Sequence, residues 1–144
     1  MIQHETQIRV RYAETDRMGY AYYGNHAQYY EVGRVELLRT IGYPYNEMED
    51  DGVMCPVTAF EVRYVRPALY DELLTVRTEI RTMPTENIVF TVELLNAQRK
   101  LVSAGKVTLA FVDAATRRRT AAPERLSGLM LPHFEQSELK SSEE

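Results

Sequence analysis

Two kinds of group near the start of this chain are able to act on a carbonyl. One is the carboxylate of Asp16. The other is the set of unpaired backbone N–H groups of a helix that opens at Asn25. Helix N-termini carry free donors and a partial positive charge. Such donors polarise a carbonyl, and a carboxylate beside them attacks it or activates water, which is the layout that acyl hydrolysis needs. A loop aspartate is also a common turn residue, so spacing alone leaves both roles open. Glu31, further along the same helix, reads as a base, as support behind Asp16, or as an ion-pair partner of Arg34 at i,i+3. His26 belongs at the mouth of such a site or simply in the first turn of the helix. Arg117, Arg118 and Arg119 match phosphate geometry or form a solvated loop run, and Arg63, Arg66 and Lys106 are further basic candidates. Tyr20, Tyr22, Tyr23, Tyr29 and Tyr30 line a pocket or pack a core. Cys55, the single cysteine, has no histidine near it in sequence and reads as inert. No metal-ligand spacing and no phosphate-cradling glycine motif is present, so neither a metal nor a nucleotide cofactor is expected.

Asp16 must be carried by a loop and the donors by a helix. Gln7–Tyr12 alternates, placing Ile8, Val10 and Tyr12 on one face of a first strand. The loop Ala13–Gly24 follows, punctuated by Gly19 and Gly24. Asn25 is an N-cap type and Gln28 completes a capping box, which predicts a helix from about His26 to Ile41, stopped by Gly42 and Pro44. Gly33 inside it costs about 1 kcal/mol against Ala, a loss that close approach to another backbone offsets. Tyr45–Asp51 predicts a short extra helical turn. Strands follow at Val57–Val65, Leu73–Thr82, Ile88–Leu95 and Leu101–Val112, then a short helix at Pro123–Leu131. Short links between strands imply antiparallel neighbours. The class is therefore α+β, an antiparallel sheet curled around one long central helix.

The bulk properties set limits on partners. A chain of 144 residues is one domain by size. Its 44% hydrophobic and 26% charged content excludes collagen-like, low-complexity and wholly disordered chains. The formal net charge of −4 offers no basic excess for nucleic acid or an anionic membrane. Residues 135–144 hold four glutamates against one lysine and read as a solvated, disordered tail after a folded domain at 1–134. One cysteine suits a reducing compartment, and no apolar stretch has the length of a signal or a membrane span, so a cytoplasmic protein is expected.

The segment from Thr15 to Arg34 resembles a known signature: Thr15, Asp16, Gly19, Tyr22, Tyr23, Asn25, His26, Tyr29, Tyr30, Glu31, Gly33, Arg34. It is similar to that of the 4-hydroxybenzoyl-CoA thioesterase family of hotdog-fold proteins, and closest to the acyl-CoA thioesterase branch associated with the Tol-Pal system. Weaker matches follow in order at Tyr64–Ala68, Asp71, Ser103–Val107 and Pro123–Glu124. The resemblance implies an acyl-CoA thioesterase with Asp16 as nucleophile or general base and the amides at Tyr23 and Gly24 as donors to the thioester oxygen. Gly19, Tyr22, Asn25, His26, Glu31, Arg66 and Arg118 become the expected substrate-binding residues. Coenzyme A arrives as part of the substrate, and no cofactor is implied. A homodimer, or a pair of dimers, is expected. Tyr23 stands where many members have His, and His26 where the family usually has Tyr, so no imidazole role is carried over. The alternative is a non-catalytic hotdog protein that binds acyl-CoA or an acyl carrier.

Overall fold

The computed structural model describes the backbone of residues 1–143 and the side chains through Glu135. Strand β1 (Ile2–Arg9) leads through a 3₁₀ turn at Tyr12–Glu14 and a second at Tyr23–Asn25 into helix α1 (His26–Ile41). Helix α2 (Tyr45–Asp50) and the short strand β2 (Val53–Met54) precede β3 (Val57–Tyr64), β4 (Leu73–Ile80), β5 (Asn87–Leu95), β6 (Leu101–Ala110) and β7 (Val112–Asp113). Helix α3 (Glu124–Glu143) closes the chain.

Five strands form one antiparallel sheet in the order β1-β4-β5-β6-β3, and β2 pairs with β7 apart from it. Leu74, Val76, Thr78 and Ile80 face the helix and are buried, as their alternation requires. Tyr29, Tyr30, Leu37 and Leu38 of α1 meet them in the core. Gly33 is where helix and sheet come closest: a Cβ there would run into Thr78 Oγ1 and Val76 Cγ1 of β4. Gly42 ends α1 at φ +98°, and the Tyr43 amide donates to Leu38 O at 3.0 Å, which closes the last turn.

The helix lies chiefly over β1 and β4, and α3 packs against β1. Strand β3, at the far edge, is left uncovered: Val57, Phe60 and Tyr64 are each at least 40% exposed.

Several expected boundaries move. The first strand lies at Ile2–Arg9 rather than Gln7–Tyr12, and Tyr12 is 78% exposed in the turn beyond it. The reason is pairing: Ile2 to Arg9 find partners from Ile80 to Leu73, while Val10 donates from its amide to Glu72 outside the ladder. The last predicted strand breaks at Phe111 into β6 and β7. The expected helix at Pro123–Leu131 runs on past the domain boundary drawn at 134, through Glu, Gln, Leu and Lys, all good helix formers. The side chains of 136–144 lie outside the described residues, and the expectation of a disordered tail falls on them.

Gly33→Ala should cost about 1–3 kcal/mol by overpacking, read as a lower urea midpoint with an unchanged slope.

Candidate active site

Asp16 is held by a tight turn of its own loop. Its amide donates to Tyr20 O at 3.0 Å, and the Gly19 amide donates back to Asp16 O at 3.0 Å. The Met18 amide donates to Asp16 Oδ1 at 2.8 Å, while Oδ2 accepts no hydrogen bond among the described residues. Gly19 sits at φ +87°, a conformation that favours glycine. One carboxylate oxygen is therefore fixed by the loop, and the other is free to meet a ligand.

The loop is tied to the helix through Glu14, which is 6% exposed. Its carboxylate accepts from the Arg11 amide (2.9 Å), Arg11 Nε (3.0 Å) and the Tyr29 hydroxyl (3.1 Å). Burial pushes the Glu14 carboxyl up, but the bonds from Arg11 and Tyr29 outweigh it and leave the group below its ordinary value. The Glu14 carbonyl accepts from Asn25 Nδ2 at 2.7 Å and from the Tyr22 amide at 2.9 Å. Asn25 is thus a clamp on the loop and not the expected cap: its backbone is already helical (φ −73°, ψ −14°) and its side chain makes no cap bond.

The 3₁₀ turn Tyr23–Asn25 leads into the helix; the Asn25 amide donates to Tyr22 O at 2.9 Å, and the Tyr23 and Gly24 amides are the open donors of the helix start. The Tyr64 hydroxyl, from β3, donates to Tyr23 O at 2.8 Å. A trans peptide is planar, so fixing that carbonyl also fixes the direction of the Gly24 N–H. The Tyr22 ring covers Gly24, where a Cβ would meet Tyr22 Cε1 at 2.9 Å, and lies tilted against the Tyr23 ring with centroids 4.6 Å apart.

A cleft of 270 Å³ joins these parts; Asp16, Tyr23, His26, Tyr64 and Arg66 are among its walls. Of the residues expected from sequence, Asp16, Tyr23, His26 and Arg66 are brought together here. Gly19, Gly24 and Asn25 shape the loop and turn behind them, and Tyr22 flanks Tyr23. Arg66 also donates from Nη1 to Leu101 O at 2.8 Å. Glu31 and Arg118 are not in this cleft. Glu31 lies on a second cleft beside α2, and no ion pair joins it to Arg34. Arg118 belongs to the turn after β7, which Asp113 organises by accepting from the Ala115 and Thr116 amides. Arg63 and Lys106 line a shallow groove of the sheet elsewhere. Cys55 bonds to Met48 Sδ, and burial, then Glu49, pushes its thiol up to about 12 against the pull of Arg34, so it stays protonated.

Three residues that hold these parts in place were not among the expected site residues: Glu14, Tyr64 and Ser103, although Tyr64 and Ser103 open two of the weaker matching segments. Ser103 Oγ lies 2.9 Å from His26 Nδ1 and 2.9 Å from the Tyr30 hydroxyl, a buried chain that orients the His26 ring at the cleft. Burial lowers His26 to about 4, so the ring is neutral at pH 7. Tyr30 is pushed up to about 12, chiefly by burial.

These features match known proteins over most of the chain. The model of the thioesterase-like superfamily fits residues 10–129. The acyl-CoA thioester hydrolase YbgC of Escherichia coli O157:H7 is 30% identical over 119 residues, 83% of this chain and 89% of that protein. YneP of Bacillus subtilis (strain 168) is 43% identical over 74 residues, 51% of this chain and 54% of its own length. A solved DHNA-CoA thioesterase from Staphylococcus aureus superposes with a TM-score of 0.87 at 28% identity, covering 100% of this chain and 97% of the other. The fold is the α+β hotdog, and the chain belongs to the thioesterase-like superfamily.

The buried neutral histidine makes stability pH-dependent. The unfolded chain takes up the proton near 6.5, the folded one only near 4. Stability should be level above pH 6.5 and fall as pH drops from there toward 4, by on the order of 3 kcal/mol. Glu14 adds to the loss only below its unfolded value near 4.5. His26→Gln should flatten the slope between pH 6.5 and 5 in urea titrations.

Proposed function

We propose that this protein is an acyl-CoA thioesterase, cleaving an acyl-CoA thioester with water to a carboxylic acid and free coenzyme A. The observation that carries this reading is the meeting, in one cleft, of the Asp16 carboxylate and the turn whose amides open α1. The names of the related hydrolases support it.

In the proposed reaction the thioester carbonyl points at the Tyr23 and Gly24 amides, which take up charge as the carbonyl carbon becomes tetrahedral. Asp16, through its free Oδ2, either removes a proton from an attacking water or attacks the carbon itself to give an anhydride that water then opens. The C–S bond breaks, and the thiolate leaves and takes a proton. His26, neutral at pH 7, acts as a hydrogen-bonding wall rather than a charged base. The reaction needs no cofactor beyond the coenzyme A of the substrate.

The working unit is proposed to be a homodimer or a pair of dimers. Strand β3 offers free backbone groups along an edge whose side chains Val57, Phe60 and Tyr64 are half exposed, and an open apolar edge is a template for pairing with a second copy. No helix among the described residues is long and apolar enough to cross a membrane. A cytoplasmic setting, where acyl-CoA is made and used, is part of the proposal.

Asp16→Asn should lower kcat/KM by about 10²–10⁴-fold in an assay of free thiol release from acyl-CoA. An unchanged rate would overturn the assignment, and stoichiometric binding without thiol release would favour the non-catalytic alternative. Tyr64→Phe, which frees the Tyr23–Gly24 peptide, should lower kcat about tenfold to a hundredfold with a smaller effect on KM.

A further inference from the structure

Three polar side chains run in a line from the core to the Asp16 cleft: Tyr30, Ser103 and His26. Ser103 Oγ lies 2.9 Å from the Tyr30 hydroxyl and 2.9 Å from His26 Nδ1. Tyr30 and Ser103 are fully buried, and His26 is 3% exposed. Burial raises the Tyr30 hydroxyl to about 12 and lowers His26 to about 4, so both are neutral at pH 7. Each of the three groups then has one proton to donate.

The direction of these bonds follows from where the protons can go. Ser103 donates to one neighbour at most. If it donated to Tyr30, the Tyr30 proton would have no acceptor, because Ser103 is that hydroxyl's only hydrogen-bond partner among the described residues. If it donated to neither, its own proton would be stranded in the core. A buried donor without an acceptor bears its full desolvation cost. When Ser103 donates to His26 Nδ1, Tyr30 donates to Ser103 and every buried proton is paired. The histidine proton then sits on Nε2. That nitrogen bonds to no protein group among the described residues and opens on the cleft.

The fold aims this N–H at the helix start. His26 is the first residue of α1, and helical side chains lean toward the N-terminal end of their helix. The open Tyr23 and Gly24 amides lie at that end. The His26 ring also meets the Tyr64 ring edge-on, with centroids 4.7 Å apart, and the Tyr64 hydroxyl bonds to Tyr23 O. Imidazole and amides are thus held against the same short turn.

We propose, resting on the thioesterase reading above, that His26 is a catalytic residue whose Nε2–H donates to the thioester oxygen beside the Tyr23 and Gly24 amides. The proton stays on Nε2 throughout, and the ring stabilises the charge that gathers on the oxygen. A neutral imidazole does this without placing a positive charge in a buried site. With Nδ1 filled by Ser103 and Nε2 protonated, the ring has no lone pair to take a proton from water, which leaves Asp16 as the base or nucleophile. Tyr30 and Ser103 are positioning residues that set which nitrogen carries the proton.

The test has two parts. In protein isotopically labelled at histidine nitrogen, long-range proton–nitrogen NMR correlations show which ring nitrogen is protonated, and the His26 signals are those lost in His26→Gln. At pH 7 they should show Nε2 protonated and Nδ1 bare. Free thiol release is then measured on acetyl-, hexanoyl-, palmitoyl- and benzoyl-CoA. His26→Phe keeps a flat ring against Tyr64 but has no donor, and should lower kcat about 10²-fold with a smaller effect on KM. His26→Leu carries the same expectation if His26→Phe does not fold. His26→Gln keeps a neutral amide that accepts from Ser103 and donates to the cleft, and should recover about tenfold of that loss. A proton on Nδ1, a charged ring at pH 7, a donorless variant that keeps the wild-type rate, or a His26→Gln enzyme as slow as the donorless one overturns the proposal while leaving the thioesterase reading intact. No thiol release from any of the substrates by the wild type overturns that reading and the proposal with it.

Discussion

The buried carboxylate of Glu14 is the joint on which the site turns. Its side chain gathers the Arg11 amide and guanidinium and the Tyr29 hydroxyl, and its carbonyl gathers Asn25 and Tyr22. The Arg11 bonds close the turn before Asp16, while those from Tyr29 and Asn25 connect that loop to helix α1 and its first turn. A carboxylate in that place is costly unless its lone pairs are filled, and here they are. The catalytic candidates themselves contribute little to this rigidity. Asp16 keeps an oxygen free, while Glu14, two residues earlier, makes the bonds that reach the helix.

A second constraint acts from beneath. Gly33 lets α1 settle onto β4, so that Tyr29 and Tyr30 extend from the helix into the core. Tyr29 reaches Glu14, and Tyr30 reaches Ser103 and through it His26. The packing of one helix face thereby sets two hydrogen-bond chains, one to the loop that carries Asp16 and one to His26 at the cleft. The Tyr64 hydroxyl adds a third, from the sheet edge, and aligns the peptide that carries the Gly24 amide.

Much of this was legible before any coordinates. The bounds of α1 could be read because Gly42 and Pro44 stop it and its apolar residues recur at helical spacing. The buried face of β4 could be read because Leu74 to Ile80 alternate without interruption. The motif from Thr15 to Arg34 placed Asp16 and the helix start together. What stayed hidden depends on contacts distant in sequence. Asn25 has the right side chain for a cap, but Glu14 O lies closer to what it needs, and residue type alone does not reveal a partner eleven positions away. Ser103 looks like any polar residue in a strand until His26 and Tyr30 are seen to converge on it. Glu31 shares the signature with Asp16, yet the helix carries it toward α2 and a different cleft. The two-residue ladder of β2 and β7 is too short to leave a periodic trace.

The sheet ends in two edge strands that differ: β1 has α3 beside it, whereas β3 carries the exposed Val57, Phe60 and Tyr64. A protomer with two bare margins could be added to without end, each copy presenting a fresh strand to the next. In the proposed dimer, joining the β3 edges like to like about a two-fold axis uses up the exposed apolar margin on both copies at once. The margin that invites the proposed assembly is thus the one that the assembly removes from water.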